Sequence, residues 1–209
     1  MSTMPLAADK TVYRIETPRL VVRCYELRDE ALRLDAVTRS FAQVGPVLGW
    51  KEWPTRASVR AFLRKVRGEF DLDRDRIFGI FNRDETVLWG ETMYLIRAGH
   101  DAREIGVWTV PETWGQGVAT EGVGAIVHSG FVFEGLKRFD YACAVDNERS
   151  AALAGRLGFV HEGVLRGRTI PSDPTPTDTL MFSMLETDFE GSAPQRLALR
   201  AFDGFGDER

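Results

Sequence analysis

Gly115 and Gly117 stand two residues apart in Thr113-Trp114-Gly115-Gln116-Gly117-Val118-Ala119-Thr120-Glu121, between a strand-like run and a helix-like one. Glycine lets a backbone turn tightly and approach a ligand closely. The first turn of a helix presents N–H groups without partners and the positive end of its dipole. Together these make a cradle for an anion such as a pyrophosphate. The same residues also suit an ordinary strand-to-helix turn that binds nothing, because short glycine motifs recur widely. No Walker-type lysine follows, and Thr120 stands where a dinucleotide fingerprint needs its third glycine.

A second polar group lies in Asp146-Asn147-Glu148-Arg149-Ser150, again between a strand and a helix. Asn147 is suited to cap that helix by accepting a backbone N–H. Two strands diverging after Val110 and Val145 would leave a crevice between two helix N-termini, where open sheets bind ligands. Asn147 and Ser150 would then face the slot.

The elements that must position these groups are legible in the periodicity. Leu20 to Tyr25 reads as a strand, Asp29 to Thr38 as a helix, and Phe41 to Pro54 as irregular and aromatic. Thr55 caps a second helix to Phe70, followed by strands over Ile77–Phe81, Thr86–Ile96 and Glu104–Val110. Turns fall at Asn82–Glu85 and Ala98–Asp101. A helix follows Gly117 to Glu134, and Gly122, Gly124 and Gly130 inside it point to close packing on a sheet. Phe139–Val145 is a strand, Glu148–Leu157 a helix stopped by Gly158, and Phe159–Leu165 and Thr179–Leu185 are strands separated by the Pro-rich 171–176 loop. The order β-α-α-β-β-β-α-β-α-β-β mixes hairpins with βαβ crossovers. The expected class is therefore α+β, with a central mixed, mostly antiparallel sheet of about seven strands flanked by helices.

The chain has 209 residues, 44% hydrophobic and 28% charged, which is enough for one buried core and little more. We assign 1–12 to a lead-in, 13–189 to one domain and 190–209 to an apolar-bearing extension that docks on the domain or on a partner subunit, which allows a homodimer. A net charge of −4 argues against a nucleic-acid partner. Cys24 and Cys143 have no CxxC or Cys/His context and read as buried thiols, with no metal site. No apolar run is long enough for a membrane span, and no basic-then-apolar leader stands at the start, so the expected location is cytoplasmic.

Four motifs in order resemble the GCN5-related N-acetyltransferases, most closely the branch of ribosomal-protein alanine acetyltransferases. They are Glu104-Ile105-Gly106-Val107-Trp108, Trp114 to Gly122, Asn147-Glu148-Arg149-Ser150, and Leu157-Gly158-Phe159-Val160-His161-Glu162-Gly163, preceded by Glu16-Thr17-Pro18-Arg19-Leu20. The resemblance spans roughly Tyr13 to Leu185. It implies that acetyl-coenzyme A is the cosubstrate and a primary amine the acceptor. By the same resemblance the N–H groups from Gln116 through Gly117, Val118, Ala119 and Thr120 hold the coenzyme pyrophosphate. The strand end Trp108-Thr109-Val110 pairs with the pantetheine arm, Asn147 bonds to that arm, and Arg156 meets the 3′-phosphate or is a solvated charge.

Acetyl transfer needs a neutral amine, support for an oxyanion and a proton for the departing thiolate. A backbone N–H near Val110 is the expected oxyanion donor. The tyrosine that many family members carry as thiolate acid is replaced by Ala154, and the branch pattern moves that role to Ser150. Glu104, then Glu91, are the candidate bases, with water as an alternative. Trp50 and Trp53, with Glu69, Asp71, Asp73 and Asp75, would suit a cationic amine. The acceptor is a protein N-terminus or a small amine. A non-catalytic acyl-CoA-binding module is the competing reading.

Overall fold

The computed structural model describes residues 10–96, 101–170 and 173–209. The turn expected at Ala98–Asp101, apart from Asp101 itself, and most of the lead-in therefore lie outside the described residues.

Among these, nine strands and five α-helices follow one another. They are β1 (Arg14–Glu16), β2 (Leu20–Cys24), α1 (Glu30–Leu48), α2 (Arg56–Asp71), β3 (Arg76–Asn82), β4 (Leu88–Leu95) and β5 (Ala102–Thr109), then α3 (Val118–Ser129), β6 (Arg138–Ala144), α4 (Glu148–Leu157), β7 (Val160–Ile170), β8 (Asp173–Leu185), α5 (Glu186–Phe189) and β9 (Arg200–Phe202). One sheet runs β7-β8-β6-β5-β4-β3-β2-β1-β9. Only β5 and β6 pair in parallel; every other neighbouring pair is antiparallel. The class is thus the mixed, mostly antiparallel one expected, with two more strands than the seven read from the sequence.

The extra strands, β1 and β9, are three residues each and too short to carry a period-two signal. They pair with each other, Ile15 opposite Ala201, so the segment after Gly191 returns to the sheet. The Pro-rich stretch is also partly strand, since β8 begins at Asp173. Its register with β6 covers only Thr179 to Leu185. Pro174 and Pro176 therefore lie where β8 has one neighbour, the setting in which a strand tolerates a missing N–H.

Helix α1 runs ten residues past its expected end at Thr38, through Gly45 and Pro46. Pro46 sits in the last turn, so few helical hydrogen bonds are at stake, and Gly49 closes the helix in the left-handed region at φ 69°. Thr55 caps α2 as expected, its hydroxyl accepting the Ser58 N–H at 3.1 Å.

Two cores cover the two faces of the sheet. Helices α3 and α4 pack over one through Val123, Ile126, Val127, Leu153 and Leu157. Helices α1 and α2 cover the other through Ala36, Val37, Val59 and Leu63, reaching Trp108 and Val110. A Cβ at Gly122 would come within 2.7 Å of Ile80, and one at Gly130 within 2.3 Å of Phe139, so both glycines let the helix region lie on the strands. No described helix is long and apolar enough to cross a membrane.

Candidate active site

The parallel register of β5 and β6 starts at Ala102 opposite Arg138 and ends at Ile105 opposite Tyr141. Beyond that pair the strands separate, four residues before the end of β5, earlier than the Val110 and Val145 expected. The other side of β5 stays paired, with Gly90 opposite Thr109 and Glu91 opposite Trp108. The Val110 N–H donates to the Trp89 carbonyl at 2.8 Å. Main-chain groups alternate sides along a strand, so Val107 and Thr109 direct theirs toward the gap while Trp108 and Val110 face β4. The Val110 N–H is thus already bonded and the residue fully buried, so Val110 itself is not the open donor of the stretch the sequence pointed to. The open donors are those of Val107 and Thr109.

The gap opens into a cavity of about 1390 Å³ that reaches the start of both α3 and α4. At its mouth, Gly115 (φ 76°) and Gly117 (φ 80°) occupy the left-handed region, and Gly117 caps α3. The N–H groups of Gly117, Val118, Ala119 and Thr120 have no partner among the described residues. Gln116 differs from the expectation. Its N–H donates to Thr113 at 3.1 Å, its carbonyl accepts from Arg19 at 3.0 Å, and its side chain donates to Glu112 at 2.6 Å. The turn before the helix consumes Gln116, and the free donors begin at Gly117.

On the facing helix, Asn147 Oδ1 accepts the Ser150 N–H at 3.1 Å and so caps α4. Its Nδ2 has no partner among the described residues and remains able to donate. Ser150 is hydrogen-bonded to the Tyr141 phenol at 2.8 Å. Tyr141 lines the cavity at the point where the strands part. Burial pushes its pKa up to about 12, so it stays protonated at neutral pH. Seven residues after Asn147, where the resemblance calls for a tyrosine, stands Ala154, fully buried in the core. The phenol comes instead from β6, nine residues before Ser150. The alternation of Phe139, Tyr141 and Cys143 on one face of that strand was the available signal. Arg156 is exposed and borders the same cavity. Arg149 lies over the Trp114 ring at 4.5 Å, bridging the two helix starts.

The carboxylates separate clearly. Glu91 is 3% exposed. It accepts from the Tyr25 hydroxyl, Arg33 Nε and Trp108 Nε1, each at 2.8 Å. That saturation makes it a brace between α1, β2 and β5 and removes it as a candidate base. Glu104 forms one ion pair, to Arg168 at 3.1 Å, and keeps its second oxygen without a partner among the described residues. Glu162, in the last of the sequence motifs, is held by Arg138 at 2.6 Å and by the Ser183 hydroxyl at 2.7 Å. The Arg138 guanidinium, then Ser183, draw its pKa down to about 2.

The aromatic and acidic residues proposed as one amine site are not brought together. Trp50 and Trp53 stack with Phe41 before α2, and Trp50 meets Trp108 edge-on. Glu69 to Asp75 lie at the other end of α2, roughly 24 Å away along the helix. There Asp71 pairs with Arg67, Asp73 with Arg76 and Glu69 with Arg74. Cys24 and Cys143 are free, buried thiols. Among the described residues no cluster of His, Cys, Asp or Glu could hold a metal ion. His128 is bonded to the Pro194 carbonyl at 2.9 Å, and His100 lies outside the described residues.

A sequence model of the acetyltransferase (GNAT) domain matches residues 19–160. An uncharacterized N-acetyltransferase of Bacillus subtilis (strain 168), YoaA, is 28% identical over 173 residues, 82% of this chain and 96% of that one. The ribosomal-protein-serine acetyltransferase of Escherichia coli (strain K12) is 34% identical over 119 residues, 54% of this chain and 65% of that one. Among solved structures, Mycobacterium smegmatis RimJ in complex with CoA-disulfide has a TM-score of 0.73 at 21% identity, covering 88% of this chain and 91% of its own.

Proposed function

The chain belongs to the GNAT family of acetyltransferases, and from that premise we propose that it carries an acetyl group from acetyl-coenzyme A to the free α-amine of a protein N-terminus. One observation carries the coenzyme half of this reading: unpartnered N–H groups at Gly117 to Thr120 open onto the same cavity as the unpaired edge of β5. Helix N-termini of this kind hold diphosphates. A pantetheine arm carries amides that can pair with an open strand edge as a neighbouring strand would. The edge of β5 offers the Val107 carbonyl and the Thr109 N–H for that pairing, the Thr109 carbonyl already accepting from Trp114 Nε1 at 3.1 Å, and Asn147 Nδ2 offers a donor from the other wall. Arg156 stands at the rim for the 3′-phosphate. The residues present fit the coenzyme, whose contribution is an acetyl group activated on sulfur.

In the transfer, a bond from nitrogen to the acetyl carbon forms and the sulfur–acyl bond breaks. One proton leaves the amine and one reaches the sulfur. Glu104, with an oxygen to spare beside Arg168, is the group we assign to receive the first. An α-amine has a pKa near 8, against about 10.4 for lysine, so this proton is easily lost. The Val107 N–H is the group we assign to the acyl oxygen. Ser150 is assigned to deliver the second proton, and the Tyr141 phenol orients it.

The acceptor half draws support from the similarity to a ribosomal-protein-serine acetyltransferase. The test is thiol release from acetyl-coenzyme A, comparing peptides ending in free α-amines with N-blocked lysine peptides and small amines. Release with the free α-amine peptides alone is expected. Release only with small amines would reassign the acceptor, and coenzyme binding without release from any amine would mark a binding module.

A further inference from the structure

Glu121 lies in the first turn of α3, the turn whose free N–H groups face the proposed diphosphate. A carboxylate there stabilises the helix, but it opposes an incoming anion at the same end. Its side chain is only 10% exposed, so solvent screens it little. Arg19, from the turn before β2, meets it with Nε at 2.7 Å and Nη2 at 2.6 Å. The Arg19 main-chain N–H reaches the other oxygen at 3.3 Å, as does the Thr17 hydroxyl at 2.6 Å. The same guanidinium donates through Nη1 to the Gln116 carbonyl. A Cβ placed on Gly117 would lie 3.3 Å from Nη2, which puts the charge against the cap residue itself. Arg19 and Glu121 both line the cavity, and the Arg19 side chain is 53% exposed.

We propose that Arg19 is a positioning residue that makes the cradle receptive to a diphosphate by cancelling the Glu121 charge at the start of α3. This rests on the coenzyme assignment above and adds to it a requirement for charge compensation, distinct from merely holding the loop in place. The two ideas differ in sign at Glu121. If the pair is only a scaffold, breaking it from either side weakens binding. If it compensates charge, removing the carboxylate alone leaves a net cation beside the diphosphate.

The experiment is calorimetric titration of coenzyme A into wild type, Arg19→Ala, Glu121→Gln and the double variant, with a thermal melt of each. Glutamine keeps an acceptor for Thr17. Arg19→Ala should weaken coenzyme A roughly ten-fold, the order of one uncompensated charge near a site of intermediate dielectric. Glu121→Gln should bind as tightly as wild type or more so, and the double variant should regain most of the loss. A Glu121→Gln variant as weak as Arg19→Ala, or a double variant no tighter than Arg19→Ala, overturns the proposal. If Arg19→Ala does not fold, the direction of change in Glu121→Gln decides alone. Failure of wild type to bind coenzyme A would instead remove the coenzyme assignment on which this stands.

Discussion

Replacing Gly117 with valine tests the cradle most directly. The residue sits at φ 80°, where a side chain is strained. For a β-branched residue that strain is on the order of 1–2 kcal/mol. Its Cβ would also press on Arg19 Nη2 at 3.3 Å, so the guanidinium or the cap must move. Movement of the cap misaims the Val118, Ala119 and Thr120 N–H groups together. Hydrogen bonds to a charged partner contribute about 1.5–3 kcal/mol each. Losing the alignment of two of them corresponds to an affinity loss of roughly 100-fold or more. Gly115→Ala is the internal control. It adds a side chain at a similar positive φ of 76°, but a Cβ there meets nothing within 4 Å. Both variants should melt a few degrees below wild type, since about 1 kcal/mol moves a chain of this size by ~2–4 °C. Only Gly117→Val should lose coenzyme A in calorimetry. An affinity for Gly117→Val within three-fold of wild type, in a protein that still melts cooperatively, would falsify the cradle assignment.

Ser150→Ala should lower kcat while leaving coenzyme affinity nearly intact, and Tyr141→Phe should lower kcat less, about five-fold for one neutral hydrogen bond; steady-state kinetics at saturating acetyl-coenzyme A separate the two, and an unchanged rate in Ser150→Ala removes it as the proton donor. Glu91→Gln breaks a buried pair and leaves Arg33 short of its counter-charge, which should cost about 3–5 kcal/mol in denaturant unfolding; a loss below 1 kcal/mol would contradict the bracing role. Glu162 has a folded-state pKa lowered from 4.5 to about 2. Its contribution is therefore fully present above pH 4.5 and fades as pH falls through about 2. The stability difference between wild type and Glu162→Gln should shrink over that window, and a difference that grows on acidification would refute the pairing with Arg138 and Ser183.

Much of this was legible in the sequence because local chemistry announced it. Thr55, Asn147 and Gly158 are cap residues at the ends they cap. Gly115 and Gly117 are glycines where the backbone needs positive φ. What escaped depends on distant partners. The Val110 N–H looked available until β4 supplied Trp89 opposite it. Glu91 and Glu104 are both glutamates on neighbouring strands, and only tertiary packing gives one three donors and the other a single ion pair. Tyr141 joins Ser150 across a strand-to-helix turn that no linear spacing rule anticipates. Helix α1 outran its expected end because a proline in the last turn breaks few hydrogen bonds. The three-residue strands β1 and β9 exist only through pairing with each other and with β2.

The segment joining β8, near one border of the sheet, to β9 at the other has a mechanical consequence. After β8 and α5 the chain lays Ser192, Pro194 and Leu197 against Gly158, His128 and Gly124, then enters β9 beside β1. It therefore crosses the seam between α3 and α4, the two helices whose starts frame the cavity. Spreading those helices must draw this strap taut and pull on β9, an edge strand of only three residues. Strain created at the mouth of the cavity is thus carried along covalent backbone to the far border of the sheet, where fraying costs least. Hydrogen exchange in β1 and β9 becomes a remote gauge of how wide the cleft stands open.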